Sequence, residues 1–313
     1  VDFALFRHRL SGTIEYYNKY SVDLLAAING SPTQGFGYTT LMTNNGKMVN
    51  RGVEITLSGE IIRQKDFSWN ASLLYAFNRN KVKHISVQPS LWDSRISMPT
   101  SYPMVGKPLY GIYAYKWAGL NENGDPQVYD AENNVTSGPA RDYHALVYCG
   151  TTVPIHNASL TNVLRYKGFE FSAMLILDAG HKLRSSNIPS INMSNGRITS
   201  TAKGIVDRWT QPGDVTDVPR LLFSNDTENF NTHRTELYRY SDLFVYDASN
   251  IRLSNISLAY RVPAHWCKKI SLSGARLQFN VENVATFAFD SKANYDLGGK
   301  VKPNYVWGLY LNF

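Results

Sequence analysis

The stretch "YVWGLYLNF", residues 305–313, closes the chain and shows the pattern that decides the fold. Every second position carries a large apolar residue, and smaller or more polar residues lie between them. Successive side chains of a strand point to opposite faces, so this alternation predicts a β-strand with one apolar and one polar face. Chain ends usually fray, and an aromatic-rich end indicates a terminal strand that lies against an apolar surface.

The same alternation recurs along the chain. In "GVEITLSGEI", Val53, Ile55, Leu57 and Ile61 alternate with polar residues, and "FSWNASLLYAF" at 67–77 repeats the pattern. The alternation predicts nine strands, at about 1–5, 10–20, 48–62, 67–78, 156–166, 168–179, 250–262, 271–284 and 303–313. In the seventh strand the apolar residues move from odd positions (Ile251 and Leu253) to even positions (Ile256 and Leu258). Either a β-bulge near Asn255 or a misassigned strand would explain that change.

The connections between these strands alternate strictly between short and long. The short ones are 6–9, 63–66, 166–168 and 263–270, and the longer ones are 21–47, 79–155, 180–249 and 285–302. In an up-and-down meander, all short turns then fall on one edge of the sheet. This asymmetry is typical of transmembrane antiparallel β-barrels of the bacterial outer membrane, which have short periplasmic turns and long extracellular loops.

That topology predicts an orientation. The C-terminus, Phe313, lies at the periplasmic edge, and the closing strand turns its aromatic-apolar side to lipid, where Trp and Tyr favour the interfaces. Residues 108–119 must then be a hairpin within an outer loop, because a tenth crossing would reverse the edges. The basic residues of the short turns face the periplasm: Arg7, Arg9, Arg63, Lys65, Lys167, Lys268 and Lys269.

A soluble β-sandwich or propeller is the alternative, since these folds are also built from alternating strands. Such folds do not sort their loops so strictly, and loops of about 70 residues are uncommon inside compact domains. A sheet that spans lipid must close into a barrel. We therefore expect further strands N-terminal to Val1.

Composition narrows the class of protein further. Charged residues make up 18%, below the ~25% typical of soluble domains, and no apolar run is long enough for a transmembrane helix. The net charge is +7, but the basic residues are scattered along the chain, which argues against nucleic-acid binding. Cys149 and Cys267 lack the spacing of a metal or redox motif, and the predicted topology places them on opposite sides of the membrane. The chain has no start Met and no signal peptide at Val1, and it starts within an alternating pattern, as part of a longer protein would.

No catalytic motif is present. The seven histidines are scattered, and H-E-x-x-H, G-x-S-x-G, P-loop and dinucleotide-binding patterns are missing. The segment "NENGDP" at 121–126 lacks the EF-hand spacing and its closing Glu, so a turn is the better interpretation. The sequence thus predicts no enzyme, no cofactor and no metal.

The longer loops hold the candidate ligand-binding residues, because sugar rings stack on aromatic faces and carboxylates bind hydroxyls. For each one, loop packing or contact with a partner protein is the competing interpretation. The candidates are Trp92, Asp93, Tyr102, Tyr113, Trp117, Asp207, Trp209 and Asp242.

Several stretches resemble the SusC/RagA family of TonB-linked outer-membrane transporters. "NNGKMVNRGVEITL" (Asn44–Leu57) is similar to the family's N-x-G-x-x-x-N-x-G-V-E signature, and residues 105–130 to its G-x-P-x-Y…G-L-x-x-x-G-x-P segment. "YKGFEFSAMLILDAGHK" at 166–182 and "IRLSNISLAY" at 251–260 are similar to its late strands.

The resemblance implies a barrel of about 22 strands, of which residues 1–313 are the C-terminal portion without the plug domain and earlier strands. It implies import of oligosaccharides or peptides, a SusD-like surface lipoprotein as partner, and a TonB complex that acts through the missing N-terminal part. Outer-membrane lipid would surround the barrel. A structural or adhesive outer-membrane barrel whose long loops bind a partner is the alternative function. An outer-membrane hydrolase is a third, and the missing catalytic constellation argues against it.

Overall fold

Nine antiparallel strands form one sheet in a computed structural model that describes residues 1–29, 33, 35, 40–86, 94–138, 142–193, 202–223, 232–298 and 302–313. Each strand pairs with its neighbours in chain order. The nine predicted strands are confirmed as β1 Asp2–Leu5, β2 Leu10–Asn29, β3 Thr40–Arg63, β4 Phe67–His84, β5 His156–Tyr166, β6 Phe169–Ala179, β7 Asn250–Arg261, β8 Gly274–Ala288 and β9 Asn304–Asn312.

The strands β2, β3 and β4 are longer than predicted, at 20, 24 and 18 residues. The prediction of a loop over 21–47 was wrong for most of its length, because β2 and β3 stay paired as far as Asn29 and Thr40. Backbone hydrogen bonds hold this extension through two register shifts between Ser21 and Leu25. Such a ladder needs no apolar alternation, whereas the predicted strand ends rest on alternation alone.

Two of the register shifts lie where the apolar residues of a strand change from odd to even positions or the reverse. Met174 pairs with Asn255 and Leu175 with Leu253, which leaves Ser254 as the extra residue and confirms the bulge expected near Asn255. A second shift separates the pairs Glu60–Asn70 and Ile62–Trp69. It makes Ile61 the extra residue, so that Ile62, not Ile61, continues the apolar face.

The register gives the sheet one apolar and one polar face. A row of directly opposed leucines crosses five strands: Leu57, Leu73, Leu160, Leu175 and Leu253. The adjacent row on the other face is Ser58, Ser72, Thr161, Met174 and Asn255. The apolar face is open to its surroundings, and Trp307 of β9 is 78% exposed. A large continuous apolar surface of this kind is the surface that a lipid-facing sheet presents.

The short turns lie on one edge of the sheet, as predicted. β1 and β2 are joined at 6–9, β3 and β4 at 64–66, and β5 and β6 at 167–168. The fourth connection, 262–273, contains a short helix, α3 (Ala264–Lys268). The C-terminus reaches the same edge, since the Ser273 amide donates to the Asn312 carbonyl at 2.8 Å.

The longer connections at the opposite edge carry their own small elements. Residues 108–119 do not cross the sheet, as expected, but they are not a self-contained hairpin. Instead, Gly111–Tyr115 pairs with Leu146–Thr151, and Trp117–Leu120 pairs with Pro126–Tyr129. Each of the two strands in this segment thus pairs with a strand that lies C-terminal to it, beyond residue 119.

The remaining elements of this edge are short. The strands are Val135–Thr136, Lys182–Arg184, Asn192–Met193, Leu222–Phe223 and Val245–Asp247, and the helices are α1 Ser94–Ser97, α2 Thr232–Arg239 and α4 Asn294–Gly298, with 3₁₀ turns at Tyr143–Ala145, Lys203–Asp207, Asp242–Phe244 and Ser291–Ala293. No helix within the described ranges is both long and apolar enough to cross a membrane.

Candidate functional site

The long connections pack together into one body, which we call the loop assembly: the described residues of 94–155, 180–249 and 289–298. Its core joins Tyr113, Tyr115 and Leu146 of the first connection to Leu237 in α2 of the second. These side chains are almost fully buried. The buried core of the protein therefore lies in the loops and not between layers of the sheet.

An ion-pair cluster around Asp125 fastens two of the connections to each other. Arg220 donates to both carboxylate oxygens of Asp125, at 3.1 and 2.9 Å, and Arg234 donates to Oδ1 at 3.1 Å. The Arg234 side chain is only 3% exposed and also donates to the carbonyls of Ile191 and Arg220. Burial lowers the pKa of Arg234, and the neighbouring Asp125 opposes that shift. Hydrogen bonds to every arm of a buried guanidinium make such a cluster rigid.

Two further contacts hold the assembly together. Arg184 donates to the Tyr113 carbonyl at 2.6 Å and to the Ser241 carbonyl at 3.3 Å. Asp296 of α4 accepts from the Ser185 hydroxyl at 2.8 Å and the Ser186 hydroxyl at 2.6 Å. The last connection is thereby joined to the one that follows β6.

Tyr102 and Tyr113, two of the predicted binding residues, are buried inside the loop assembly. The Met104 amide donates to the Tyr113 hydroxyl at 3.2 Å, and the Arg95 guanidinium lies 5.9 Å from the Tyr113 ring centroid. Arg95 also donates to the Tyr102 carbonyl at 3.4 Å. Burial raises the pKa of Tyr113. Both tyrosines contribute packing between loop segments.

Trp117 and Asp242 are brought together by the fold. The Trp117 amide donates to Asp242 Oδ1 at 3.0 Å, and its indole Nε1 donates to Asp217 Oδ1 at 2.9 Å. The Trp117 ring centroid lies 5.9 Å from that of Tyr238. Sequence reasoning missed Asp217 and Tyr238, because no local pattern links residues about a hundred positions apart.

Trp209 and Asp207 lie beside the segment that holds Asp217, since the Trp209 amide donates to the Val218 carbonyl at 2.8 Å. The Trp209 ring packs on Gly124, whose φ of +74° and missing Cβ allow the ring to approach. Asp207 is exposed, and its carbonyl accepts from the Thr216 hydroxyl at 2.6 Å. Trp92 and Asp93 lie outside the described residues. Ligand binding by the candidates stays a prediction.

The polar face of the sheet carries a second set of ordered side chains. Glu170 accepts from Arg165 at 2.7 Å and from Arg276 at 3.1 Å, which links β5, β6 and β8. A depression of about 280 Å³ on this sheet is lined by polar-face residues that include Glu54 and Asp178. Charged and hydroxyl side chains on this face indicate contact with water, as in a barrel lumen.

Among the described residues, no group of three or more His, Cys, Asp or Glu side chains lies close enough to hold a metal ion.

The sequence matches a known protein family over most of its length. Residues 1–284 match the family described as "TonB dependent receptor-like, beta-barrel". The chain belongs to this family. The nine-stranded antiparallel sheet with its sorted loops is therefore part of an outer-membrane β-barrel.

Curated relatives agree with this assignment. The TonB-dependent receptor P3 of Formosa agariphila is 25% identical over 331 residues, covering 99% of this chain and 31% of that protein. The TonB-dependent receptor SusC of Bacteroides thetaiotaomicron is 23% identical over 297 residues, covering 90% of this chain and 27% of that protein. The resemblance to the SusC/RagA family is thus confirmed. The chain spans about a third or less of the length of the curated relatives it matches.

Solved structures show the same fold. The RagAB peptide transporter superposes with a TM-score of 0.74 at 22% sequence identity, covering 100% of this chain and 34% of that one. The RagAB peptide importer in its closed-closed state gives a TM-score of 0.72, also at 22% identity, and covers 34% of that chain. At this identity the match establishes the fold alone.

Proposed function

We propose that the protein is a SusC-like nutrient importer of the outer membrane, which takes up oligosaccharides or peptides in a TonB-dependent manner with a SusD-like surface lipoprotein. The observation that carries the proposal is the two-faced sheet, whose strands match the TonB-dependent receptor barrel family over residues 1–284. Residues 1–313 would be the C-terminal portion of that barrel. The plug domain, the earlier strands and the contact with the TonB complex would lie elsewhere in the protein. None of these residues would act as an enzyme.

We propose further that the short-turn edge faces the periplasm and the loop assembly faces the cell exterior. Loop lengths support this orientation, since outer-membrane barrels keep their longer loops outside. Protease added to intact cells should cut within 85–155 or 180–249 and spare Lys65 in the β3–β4 turn and Lys268 in α3. Permeabilised cells provide the control, because there the turns become accessible. A cut at Lys65 in intact cells would contradict the orientation.

The content of the loop assembly supports the proposal of a lipoprotein partner. Long loops are usually functional or disordered, and this assembly is ordered around buried tyrosines and an ion-pair cluster. Tagged full-length protein, solubilised from native membranes, should co-purify with a surface lipoprotein. Removing most of 85–155, just after the end of β4, should weaken the pair while the barrel still forms.

A second possibility rests on the packing described above: the loops close the barrel mouth by folding onto each other, without a partner. In that case the tagged barrel would repeatedly emerge from native membranes without any lipoprotein. This result would refute the proposed partnership and leave the assignment to the barrel family intact.

The ligand would be held between the loop assembly and its partner. Of the six described candidates, Asp207 is the exposed one, and its side chain makes no hydrogen bond among the described residues. Asp207→Asn should therefore lower ligand uptake without disturbing the fold, whereas Tyr113→Ala should loosen the loops first. Comparing uptake of labelled oligosaccharides and peptides by cells carrying each variant tests the proposal. Equal uptake by the wild type and Asp207→Asn would remove Asp207 from the site.

A further inference from the structure

A stripe of positive charge runs along one face of β4. The segment "NRNKVKH" at 78–84 places Arg79, Lys81 and Lys83 at every second position. Arg79 and Lys81 share one face of the strand, and Lys83 is the extra residue at a register shift between β3 and β4. Phe77 is the preceding residue on that face. It pairs with Val53 of β3, while Arg79 pairs directly with Arg51. The stripe therefore continues the apolar face of the sheet and not the polar one.

The stripe begins where the apolar band ends. On this face of β4, Phe67, Trp69, Ala71, Leu73, Tyr75 and Phe77 precede the first charge. From Phe67 to Phe77 the strand advances about 33 Å at ~3.3 Å per residue. With a tilt of about 40°, that length spans roughly 25 Å, the height of the apolar band of an outer-membrane barrel. Arg79 thus lies one step above the band, at the level of lipid headgroups.

A groove of about 720 Å³ opens along this stripe. Its lining includes five cationic residues and no Asp or Glu, and we call these five the outer basic groove: Arg51, Arg79, Lys81, Lys83 and Lys107. Lys107 comes from the first long connection. Two backbone hydrogen bonds fix it beside β4: the Gly106 amide donates to the Val82 carbonyl, and the Val82 amide to the Lys107 carbonyl, both at 2.9 Å. Tyr148 forms part of the wall, with the Lys107 ammonium 4.9 Å from its ring centroid.

The positive charges of the groove are not neutralised by neighbouring side chains. Arg51 and Arg79 are directly opposed across β3 and β4, an arrangement of like charges that destabilises a sheet. Arg51 donates to Asn18 Oδ1 at 3.0 Å, and none of the five cations forms an ion pair within the part of the chain that the structure describes. A bound anion would offset the repulsion.

We propose that the outer basic groove binds the phosphate of a lipid headgroup in the outer leaflet. The guanidinium groups of Arg51 and Arg79 match phosphate geometry, and basic pockets at membrane interfaces hold anionic headgroups. The acyl chains would run down the apolar face past Phe77 and Val53. This combination of a cationic upper part and an apolar lower part fits an amphipathic lipid better than a free ion.

The full-length protein, purified in mild detergent and stripped of lipid, tests the proposal. The probes are lipopolysaccharide carrying its phosphates, the same lipopolysaccharide after phosphatase treatment, and inorganic phosphate as a competitor. Arg51→Ala/Arg79→Ala removes the opposed pair, and Arg51→Lys/Arg79→Lys keeps its charge. Lys19→Ala is the matched control, because Lys19 pairs with Asn50, next to Arg51 in the chain but on the polar face. Heat-modifiable migration on gels verifies that each variant is folded.

We expect the phosphorylated lipid to bind at least about tenfold more tightly to wild type than to the double alanine variant, since each hydrogen bond to a charged group is worth roughly a factor of ten. The double lysine variant should retain most of the binding, and Lys19→Ala should match wild type. Equal binding by wild type and the folded double alanine variant would overturn the proposal, as would equal binding of the phosphorylated and dephosphorylated lipids. Complete displacement of the lipid by millimolar inorganic phosphate would identify a free-phosphate site and would equally reject the lipid as ligand.

Discussion

Placing a charge at Leu57 tests whether the apolar face of the sheet contacts lipid. Leu57 pairs with Leu73, which lies six residue steps above Phe67 on β4. At ~3.3 Å per residue and a tilt of about 40°, that distance corresponds to a height of roughly 15 Å. Leu57 therefore lies close to the middle of the apolar band, where an Arg facing lipid is most costly.

The expected cost of Leu57→Arg is about 2–4 kcal/mol of unfolding free energy. Ser58→Arg is the matched control, because Ser58 lies at the same depth on the polar face and its hydroxyl is 3.2 Å from that of Ser72. Losing that contact costs about 0.5–1.5 kcal/mol at most. Glu54→Arg should leave the unfolding free energy unchanged or raise it slightly. Glu54 is directly opposed to Glu15, so the substitution replaces a pair of like charges with a pair of opposite charges.

The measurement is urea unfolding of the full-length protein reconstituted into phospholipid vesicles, followed by tryptophan fluorescence. The midpoint for Leu57→Arg should fall clearly below those for Ser58→Arg and Glu54→Arg. Equal midpoints for Leu57→Arg and Ser58→Arg would show that the two faces see the same surroundings. That result would refute the assignment of lipid and lumen faces and, with it, the depth argument for the outer basic groove.

Three further predictions concern the loops and turns. Cys149 and Cys267 should not form a disulfide, because the proposed topology places a membrane ~30 Å thick between them and Cα atoms more than ~7 Å apart cannot be bridged. Mass mapping without reductant that found the linked peptide would contradict this topology. Burial raises the pKa of Cys149 to about 11, so its alkylation by iodoacetamide should rise about tenfold per pH unit between pH 7 and 10, and a rate that levelled off near pH 8 would argue against that environment. Arg234→Ala should destabilise the loop assembly by about 3 kcal/mol, because Asp125 and its neighbours lose a hydrogen-bond donor. Proteolysis within the second long connection should rise while the barrel stays heat-modifiable. Arg208→Ala is the control: it loses one local contact of 3.5 Å to a carbonyl and should leave proteolysis unchanged.

The sequence predicted the strands well where lipid and water impose opposite demands on successive residues. The β5–β6 pair shows this clearly, since its observed bounds, His156–Tyr166 and Phe169–Ala179, agree with the predicted ones to within a residue. The ends of β2 and β3 beyond residues 20 and 48 were missed because their apolar residues, such as Leu24, Leu25, Ala26 and Ala27, are consecutive and do not alternate with polar ones. Backbone pairing alone continues there, and it leaves no periodic trace in the residue types.

The candidate site was predicted less completely, and the reason is the distance along the chain between interacting residues. Residue type identified Trp117 and Asp242 as polar or aromatic loop residues but gave no sign that they contact each other. Asp125 was interpreted as part of a turn, which the Gly124–Asn121 backbone hydrogen bond supports. Its two arginine partners lie 95 and 109 positions away, and no local motif encodes such a pairing.

The loop assembly has its own core, and this changes how its deletion must be interpreted. Because Leu237 of the second connection packs against Tyr113 and Leu146 of the first, removing most of 85–155 exposes apolar side chains that were buried. The barrel does not depend on that core, since ladder hydrogen bonds and lipid hold its strands. A lost lipoprotein contact after the deletion could therefore arise from the missing segment or from a loosened second connection. Arg234→Ala separates these causes, because it loosens the packing between the two connections without removing any residue of the first. If the lipoprotein still co-purifies with Arg234→Ala but not with the deletion variant, residues 85–155 carry the contact themselves.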